Sequence, residues 1–316
     1  MVPIGPTDIT LHRTSSFRAS GTYSEDMMTA EPTTINRRAH APVEYAPGDP
    51  RFPEVMLYFG NDCNRDCYFC CVEAKPGGSF LRYTPERMGE ILELIHPAAR
   101  IKLYGGEPTL YHRHLIEVTA ALRGGGYVGR LTIFSNGIQA DRLIEMLEAD
   151  PPGSAHPGSD VYLNYAIWHG RGVEQIPAGR RAKLVAWTAA HPGRIYLSHE
   201  DLIPVGGAER APANMSLLQR VPDFGGKCAR CFPTLKSDGT IHACAFAAEE
   251  PAAQYALGRL GDAPQEVASR YRRFLGWVEQ VLEPAAAAAG ESPCTVCLRW
   301  ARAEPAGGHL ASPPDR

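Results

Sequence analysis

Neither sign of charge dominates this chain: 35 acidic and 32 basic residues leave a formal charge of -3 over 316 residues. Without a basic field, electrostatics nominates no nucleic acid as partner. No run of about 18 consecutive apolar residues occurs. The first thirty residues also lack the basic-then-apolar order of a signal peptide. These absences lead us to expect a cytoplasmic protein with no membrane partner. With 44% apolar and 21% charged residues the composition is that of a globular protein, and a length near twice about 150 residues suggests two domains. Cysteine is what the chain does not lack. There are nine, an odd and clustered set, which in a reducing compartment suits metal ligation better than disulfides.

Residues 1–50 contain 17 apolar residues and six prolines, too little to bury and too irregular for a periodic face, so an irregular extension is expected there. From Pro53 short β-rich runs alternate with helical periodicity: Val55–Phe59, Ile101–Tyr104, Leu131–Phe134, Val161–Leu163 and Ile195–Leu197. That alternation predicts βα units on a parallel sheet over residues 51–225. Thr84-Pro85-Glu86 opens one helix with the stripe Met88, Ile91, Leu92 and Ile95; Leu115, Val118 and Leu122 mark a second, and Leu143, Ile144 and Leu147 a third. Ligand-binding loops are then expected at the carboxyl ends of the strands. Beyond about residue 225 the alternation stops, and Lys236-Ser237-Asp238-Gly239-Thr240 predicts a hairpin turn. We expect a cysteine-rich domain over 226–300, a helical segment at Ala285–Ala289, and a tail over 301–316.

Directly after the first strand stands Cys63-Asn64-Arg65-Asp66-Cys67-Tyr68-Phe69-Cys70, a C-x3-C-x2-C spacing on a strand-exit loop. Iron-sulfur cubes usually take four cysteines, so three in one loop would leave one iron open to a substrate or cofactor. A structural zinc site is the bland alternative, although zinc pairs usually occur twice. One βα unit later comes Gly105-Gly106-Glu107-Pro108, where two glycines would let backbone approach a ligand closely and a carboxylate could accept from an ammonium group.

Together these residues resemble the radical S-adenosylmethionine superfamily. The resemblance implies a partial (β/α)6 barrel in which Cys63, Cys67 and Cys70 hold a 4Fe-4S cluster whose fourth iron is chelated by S-adenosylmethionine. It places Phe69 beside the adenine, and Gly105, Gly106 and Glu107, with Pro108 completing the motif, at the methionyl amine. Ser135-Asn136-Gly137 resembles the family's strand end near the methionyl carboxylate, and Asn164 falls where a ribose-binding residue is common. An Asn-Gly pair is also simply a turn former. The family's chemistry is reductive cleavage of the sulfonium to a 5'-deoxyadenosyl radical that abstracts a substrate hydrogen.

Gly124-Gly125-Gly126-Tyr127-Val128-Gly129 satisfies G-x-G-x-x-G, but it follows a helix and precedes a strand, the reverse of a dinucleotide-binding turn, so a helix stop is expected. Cys71 lies outside the ligand spacing and reads as a small buried residue. Farther on, Cys228 is followed by ten residues, Gly239, four residues and Cys244, and Cys294-Thr295-Val296-Cys297 adds two thiols. This resembles the twitch domain, the shorter relative of the SPASM domain, and implies an auxiliary 4Fe-4S cluster on Cys228, Cys244, Cys294 and Cys297. Cys231 could replace Cys228, shield the cluster or act near the substrate. A zinc knot on Cys228, Cys231, Cys294 and Cys297 is the alternative.

An auxiliary cluster beside a radical site suits a substrate radical that must lose a second electron. The resemblance therefore implies an oxidoreductase acting on a sugar, aminocyclitol or nucleoside in antibiotic biosynthesis, served by a flavodoxin- or ferredoxin-type donor. Peptide maturation by crosslinking or epimerisation is a rival, as is radical epimerisation or decarboxylation of a sugar with Cys231 as hydrogen donor. A non-enzymatic electron carrier would leave the three-thiol loop and Glu107 unexplained. Trp168, His169, Ser198, His199, Glu200 and Asp201 stand at strand ends as substrate contacts, or equally as caps and solvated loop residues. Of these His199 could act as the base, because an unperturbed imidazole titrates near neutrality.

Overall fold

The computed structural model describes residues 49–170, 173–198, 232–245 and 255–303, all within one compact unit. Strands and helices alternate as expected through β1 (Phe52–Tyr58), α1 (Pro85–Leu94), β2 (Ile95–Tyr104), α2 (His112–Gly124), β3 (Leu131–Ser135), α3 (Ala140–Ala149), β4 (Ser159–Leu163), α4 (Tyr165–His169), α5 (Ala178–Ala190) and β5 (Ile195–Leu197). Neighbouring strands of this series are parallel. Thr84 caps α1 by accepting from Arg87 N, with Pro85 in the first turn. The helix buries Met88 and Ile91, while Ile95 already belongs to β2, which starts six residues before the expected run. Pro97 cannot donate to a ladder, and it falls where the β1–β2 register slips, between the pairs Phe52–Ile95 and Glu54–Arg100. The glycine run closes α2 as expected: Gly126 has φ +91°, and a Cβ on Gly129 would lie 1.8 Å from the Ala99 carbonyl.

The hairpin forms where its turn residues predict, with β6 (Thr234–Lys236) and β7 (Thr240–His242) joined through Gly239 at φ +85°. Its placement differs from expectation. β6 runs parallel to β1, and β8 (Ala256–Arg259) follows β7, giving one sheet of order β5-β4-β3-β2-β1-β6-β7-β8. The hairpin thus extends the main sheet, and among the described residues β6 is a sixth parallel strand, paired with β1. Every residue of β1 is buried, and such a strand needs a partner on each edge. The remaining helices are α6 (Pro264–Trp277), α7 (Glu283–Ala289), which contains the expected alanine run, and α8 (Pro293–Ala303). The expected boundary at 225/226, residues 1–48 and residues 304–316 lie outside the described residues. No helix among the described residues is long and apolar enough to cross a membrane.

The two faces of the parallel sheet differ in kind. Strand periodicity puts Val55, Leu57, Ile101, Leu103, Leu131, Ile133, Val161 and Leu163 on one face, all buried in the main apolar core. The other face carries Tyr58, Tyr104, Phe134, Tyr162 and Tyr196 in a single register row. Successive rings of this row from Tyr104 to Tyr196 lie 5.5–6.0 Å apart. Below that row Lys102 pairs with Glu54, and Asp160 accepts from Thr132 Oγ1 at 2.7 Å and Arg130 at 2.8 Å. Buried charges of this kind persist only in pairs or networks.

Candidate active site

The loop bearing Cys63, Cys67 and Cys70 leaves β1 and is held from two sides. On one side Asn61 N and Asp62 N each donate to Ser79 O at 3.0 Å, and Cys63 N donates to Lys75 O at 3.1 Å. On the other the Gly105–Glu107 segment continues the β1–β2 ladder, with Gly106 N donating to Gly60 O at 2.9 Å and Glu107 N to Asp62 O at 2.8 Å. Between Cys67 and Cys70 the chain makes a tight turn closed by Cys70 N on Cys67 O at 2.9 Å, and Ala74 N donates to Cys70 Sγ at 3.3 Å.

The two glycines are demanded by the protein's own backbone. A Cβ on Gly106 would lie 1.8 Å from Asp62 O, and one on Gly105, whose φ is +141°, 2.4 Å from Gly60 O. The close approach they permit is that of the cysteine loop itself, not only of a ligand. Glu107 likewise has partners within the protein. It is 2% exposed, and its carboxylate already accepts from Thr109 N at 3.1 Å, Thr109 Oγ1 at 2.6 Å, Ser135 Oγ at 2.8 Å and Asn136 N at 2.8 Å. Three of those bonds fall on Oε1 and one on Oε2, so an arriving ammonium would find room only at Oε2. Burial raises the pKa of Glu107, opposed by the hydrogen bonds it accepts. The side chain acts first as a clasp between the ends of β2 and β3.

Sequence spacing hides how closely these parts meet. Asn136 Nδ2 donates to Asn64 Oδ1 at 2.8 Å and lies 3.8 Å from Cys63 Sγ, bringing the end of β3 to the cysteine loop 73 residues earlier. Pro108 is buried at the start of a 3-10 turn, Pro108–Tyr111, and Phe69 is 6% exposed, its ring edge-on to Tyr68 at 5.2 Å. Asn164 caps α4, its Oδ1 accepting from Ile167 N at 3.1 Å. The cap uses Oδ1 and gives this residue a structural task of its own. Trp168, on α4, is buried in the core, and His169 ends that helix. Ser198 N extends the β5 pairing by donating to Leu163 O at 2.8 Å. His199, Glu200, Asp201, Cys228 and Cys231 lie outside the described residues. Sequence reasoning missed one contact altogether: Cys71 Sγ stands 3.0 Å from Tyr104 Oη, which ties the far end of the cysteine loop to the aromatic row. The alternation that puts Tyr104 and Tyr58 on one face was its available signal.

Burial raises the Cys63 thiol to about 12, with the negative charge of Glu107 adding to it, and raises Cys67 to about 11, with Cys70 adding to it. Thiols crowded in this way stay protonated near neutrality until a cation takes the place of their protons. Among the described residues no three His, Cys, Asp or Glu side chains close on a single metal ion. A 4Fe-4S cube takes each thiolate on a different iron and so asks for sulfurs spread around it rather than converged on a point. Three free thiols on one pinned loop are the donor set such a group takes.

Of the later thiols, Cys244 follows β7, while Cys294 and Cys297 lie one turn apart on α8. Cys244 and Cys297 are buried. None of the described cysteines is in a disulfide.

Residues 57–153 match the Radical SAM superfamily, a span that holds the cysteine loop, the Gly105–Pro108 segment and the end of β3. The chain carries a radical S-adenosylmethionine domain, and it is an enzyme that uses S-adenosylmethionine. No curated protein matches the sequence. Among solved structures the fold is similar to that of BtrN in complex with AdoMet and 2-DOIA, at 17% identity and a TM-score of 0.42, covering 75% of this chain and 89% of that one. It is also similar to native anSMEcpe with bound AdoMet, at 14% identity and a TM-score of 0.42, covering 72% and 84%.

Proposed function

We propose that this enzyme oxidises a small polar molecule, a sugar, aminocyclitol or nucleoside, by two electrons in natural-product biosynthesis in the cytoplasm, with a second cluster as electron acceptor. When bound, the first cluster and S-adenosylmethionine supply a 5'-deoxyadenosyl radical that takes a hydrogen atom from the substrate. Cys63, Cys67 and Cys70 would hold that cluster. Glu107 and Asn136 fix the ends of β2 and β3 against the loop, and the Oε2 edge of Glu107 would receive the methionyl amine. The second cluster would rest on Cys228, Cys244, Cys294 and Cys297, and a flavodoxin or ferredoxin would deliver the first electron.

The observation that carries the reading is the meeting of Cys63, Asn136 and Glu107 at one end of the sheet. Oxidation is favoured over redox-neutral rearrangement by the further thiols of Cys244, Cys294 and Cys297. A small polar substrate suits the sheet face below the loop, which bears tyrosines and paired charges rather than an aliphatic lining. Anaerobic turnover with aminocyclitols, nucleoside sugars and a precursor peptide tests it. We expect one 5'-deoxyadenosine per oxidised small-molecule product, and Cys297→Ala should keep sulfonium cleavage while losing that product. Catalytic reuse of S-adenosylmethionine, or product from the peptide alone, overturns the reading.

A further inference from the structure

Tyr255 stands between two of the later thiols. Its carbonyl accepts from Ala243 N at 2.8 Å, which fixes it beside Cys244. Its hydroxyl donates to Cys297 O at 2.8 Å and lies 2.9 Å from Cys297 Sγ. The residue is 0% exposed, and its ring packs on Phe274 at 5.8 Å. One residue thus joins the end of β7, through its backbone, to α8, through its side chain.

A hydroxyl has one hydrogen and two lone pairs. While Cys297 is a thiol, its S–H can donate to the tyrosine oxygen and the tyrosine O–H can stay on the carbonyl. As a thiolate ligand Cys297 has no proton to give, and the hydroxyl already within reach becomes a donor to the sulfur. Hydrogen bonds to cluster sulfurs stabilise the more negative, reduced state and raise the reduction potential.

We propose that Tyr255 is a positioning residue that sets the potential of the second cluster through an O–H···S bond to Cys297, making that cluster a better acceptor of the substrate's second electron. The inference rests on the second cluster of the proposed function and adds to it the residue that tunes it.

The test uses the full chain, reconstituted with iron and sulfide without oxygen, by iron analysis and potentiometric titration followed by electron paramagnetic resonance. The two clusters are told apart because only the one with an open iron changes its signal when S-adenosylmethionine is added. In Tyr255→Phe we expect wild-type iron, an unmoved S-adenosylmethionine-sensitive signal, and about a tenfold loss of the reduced form of the insensitive cluster at fixed potential, or about 59 mV for one electron. Replacing Tyr255 alone by 3-fluorotyrosine keeps ring and hydroxyl but strengthens the donor. It should move the same signal in the opposite direction, and it decides the matter if the Phe variant fails to load. Unmoved potentials in a loaded variant overturn the role of Tyr255 while leaving the second cluster standing. A wild-type chain with about four irons and no insensitive signal overturns the second cluster itself, and Tyr255 with it.

Discussion

The two cysteine regions of this enzyme are built in opposite ways. The first is local: Cys63, Cys67 and Cys70 share one loop, and the Gly105–Glu107 segment locks that loop by backbone bonds to Gly60 and Asp62. The second draws on the end of β7 and a helix 50 residues later, with one buried tyrosine spanning them. A site written into one loop can be recognised by spacing alone. A site gathered from separate elements depends on the sheet and helices that carry it. Loss of the first should therefore be a chemical lesion that leaves the fold intact, whereas the second should be sensitive to changes in packing.

The strongest test of that contrast is Cys63→Ala. Formation of 5'-deoxyadenosine should fall to background and, on the proposed two-cluster reading, iron should drop from about eight to about four per chain, while circular dichroism and melting stay near wild type. Collapse of both clusters together would erase the distinction. Gly106→Ala comes next, because its Cβ would meet the Asp62 carbonyl at 1.8 Å and the backbone cannot yield cheaply. We expect a loss of about 3 kcal/mol in stability, read by denaturant unfolding, together with poor loading of the first cluster only. Wild-type stability in this variant would mean that the loop is not clamped as described.

Much of the first region was legible because its physics is short-range. Strand alternation, the Thr84-Pro85 cap and the C-x3-C-x2-C spacing each involve neighbours in sequence, and the structure keeps them. What the sequence concealed was which groups satisfy one another. Glu107 looks like an available carboxylate until Thr109, Ser135 and Asn136 are found on it. The docking of β6 on β1 was equally hidden, since Thr234–Lys236 is three residues long and nothing local names its partner across some 180 positions. The Cys71–Tyr104 contact needed two elements in register before it could be seen.

Glu107→Gln sharpens the comparison at the clasp. A glutamine can keep the acceptors on one oxygen, but its amide would face the Asn136 N–H, donor against donor, at a cost of about 2 kcal/mol. The penalty should depend on pH in a stated direction. Burial raises the folded pKa of Glu107 above its ordinary value. Its favourable protonation term is therefore complete below the unfolded pKa near 4.5 and is lost as pH rises through the higher folded value. The stability gap between wild type and Glu107→Gln should narrow from acid toward neutral pH, all other groups titrating alike in both. A gap that widens would place the carboxylate in a net favourable charged environment instead.

The smallest effect separates a helix cap from a ribose contact. Asn164 holds the first turn of α4 through Oδ1 on Ile167 N, and its own N–H binds Ser135 O at 3.0 Å. Because the cap is a side-chain acceptor only, Asn164→Asp should preserve stability, while Asn164→Ala should lose about 1 kcal/mol. If capping is its whole task, the affinity for S-adenosylmethionine follows the helix: unchanged in the Asp variant and weakened only modestly in the Ala variant. A ribose hydroxyl held by the amide would give another ordering, since aspartate has no N–H to offer, and the Asp variant would then lose affinity while keeping full stability. Isothermal titration beside thermal melting of the two variants reads both quantities. We expect stability and affinity to move together, because the acceptor that serves the helix is the one this geometry commits.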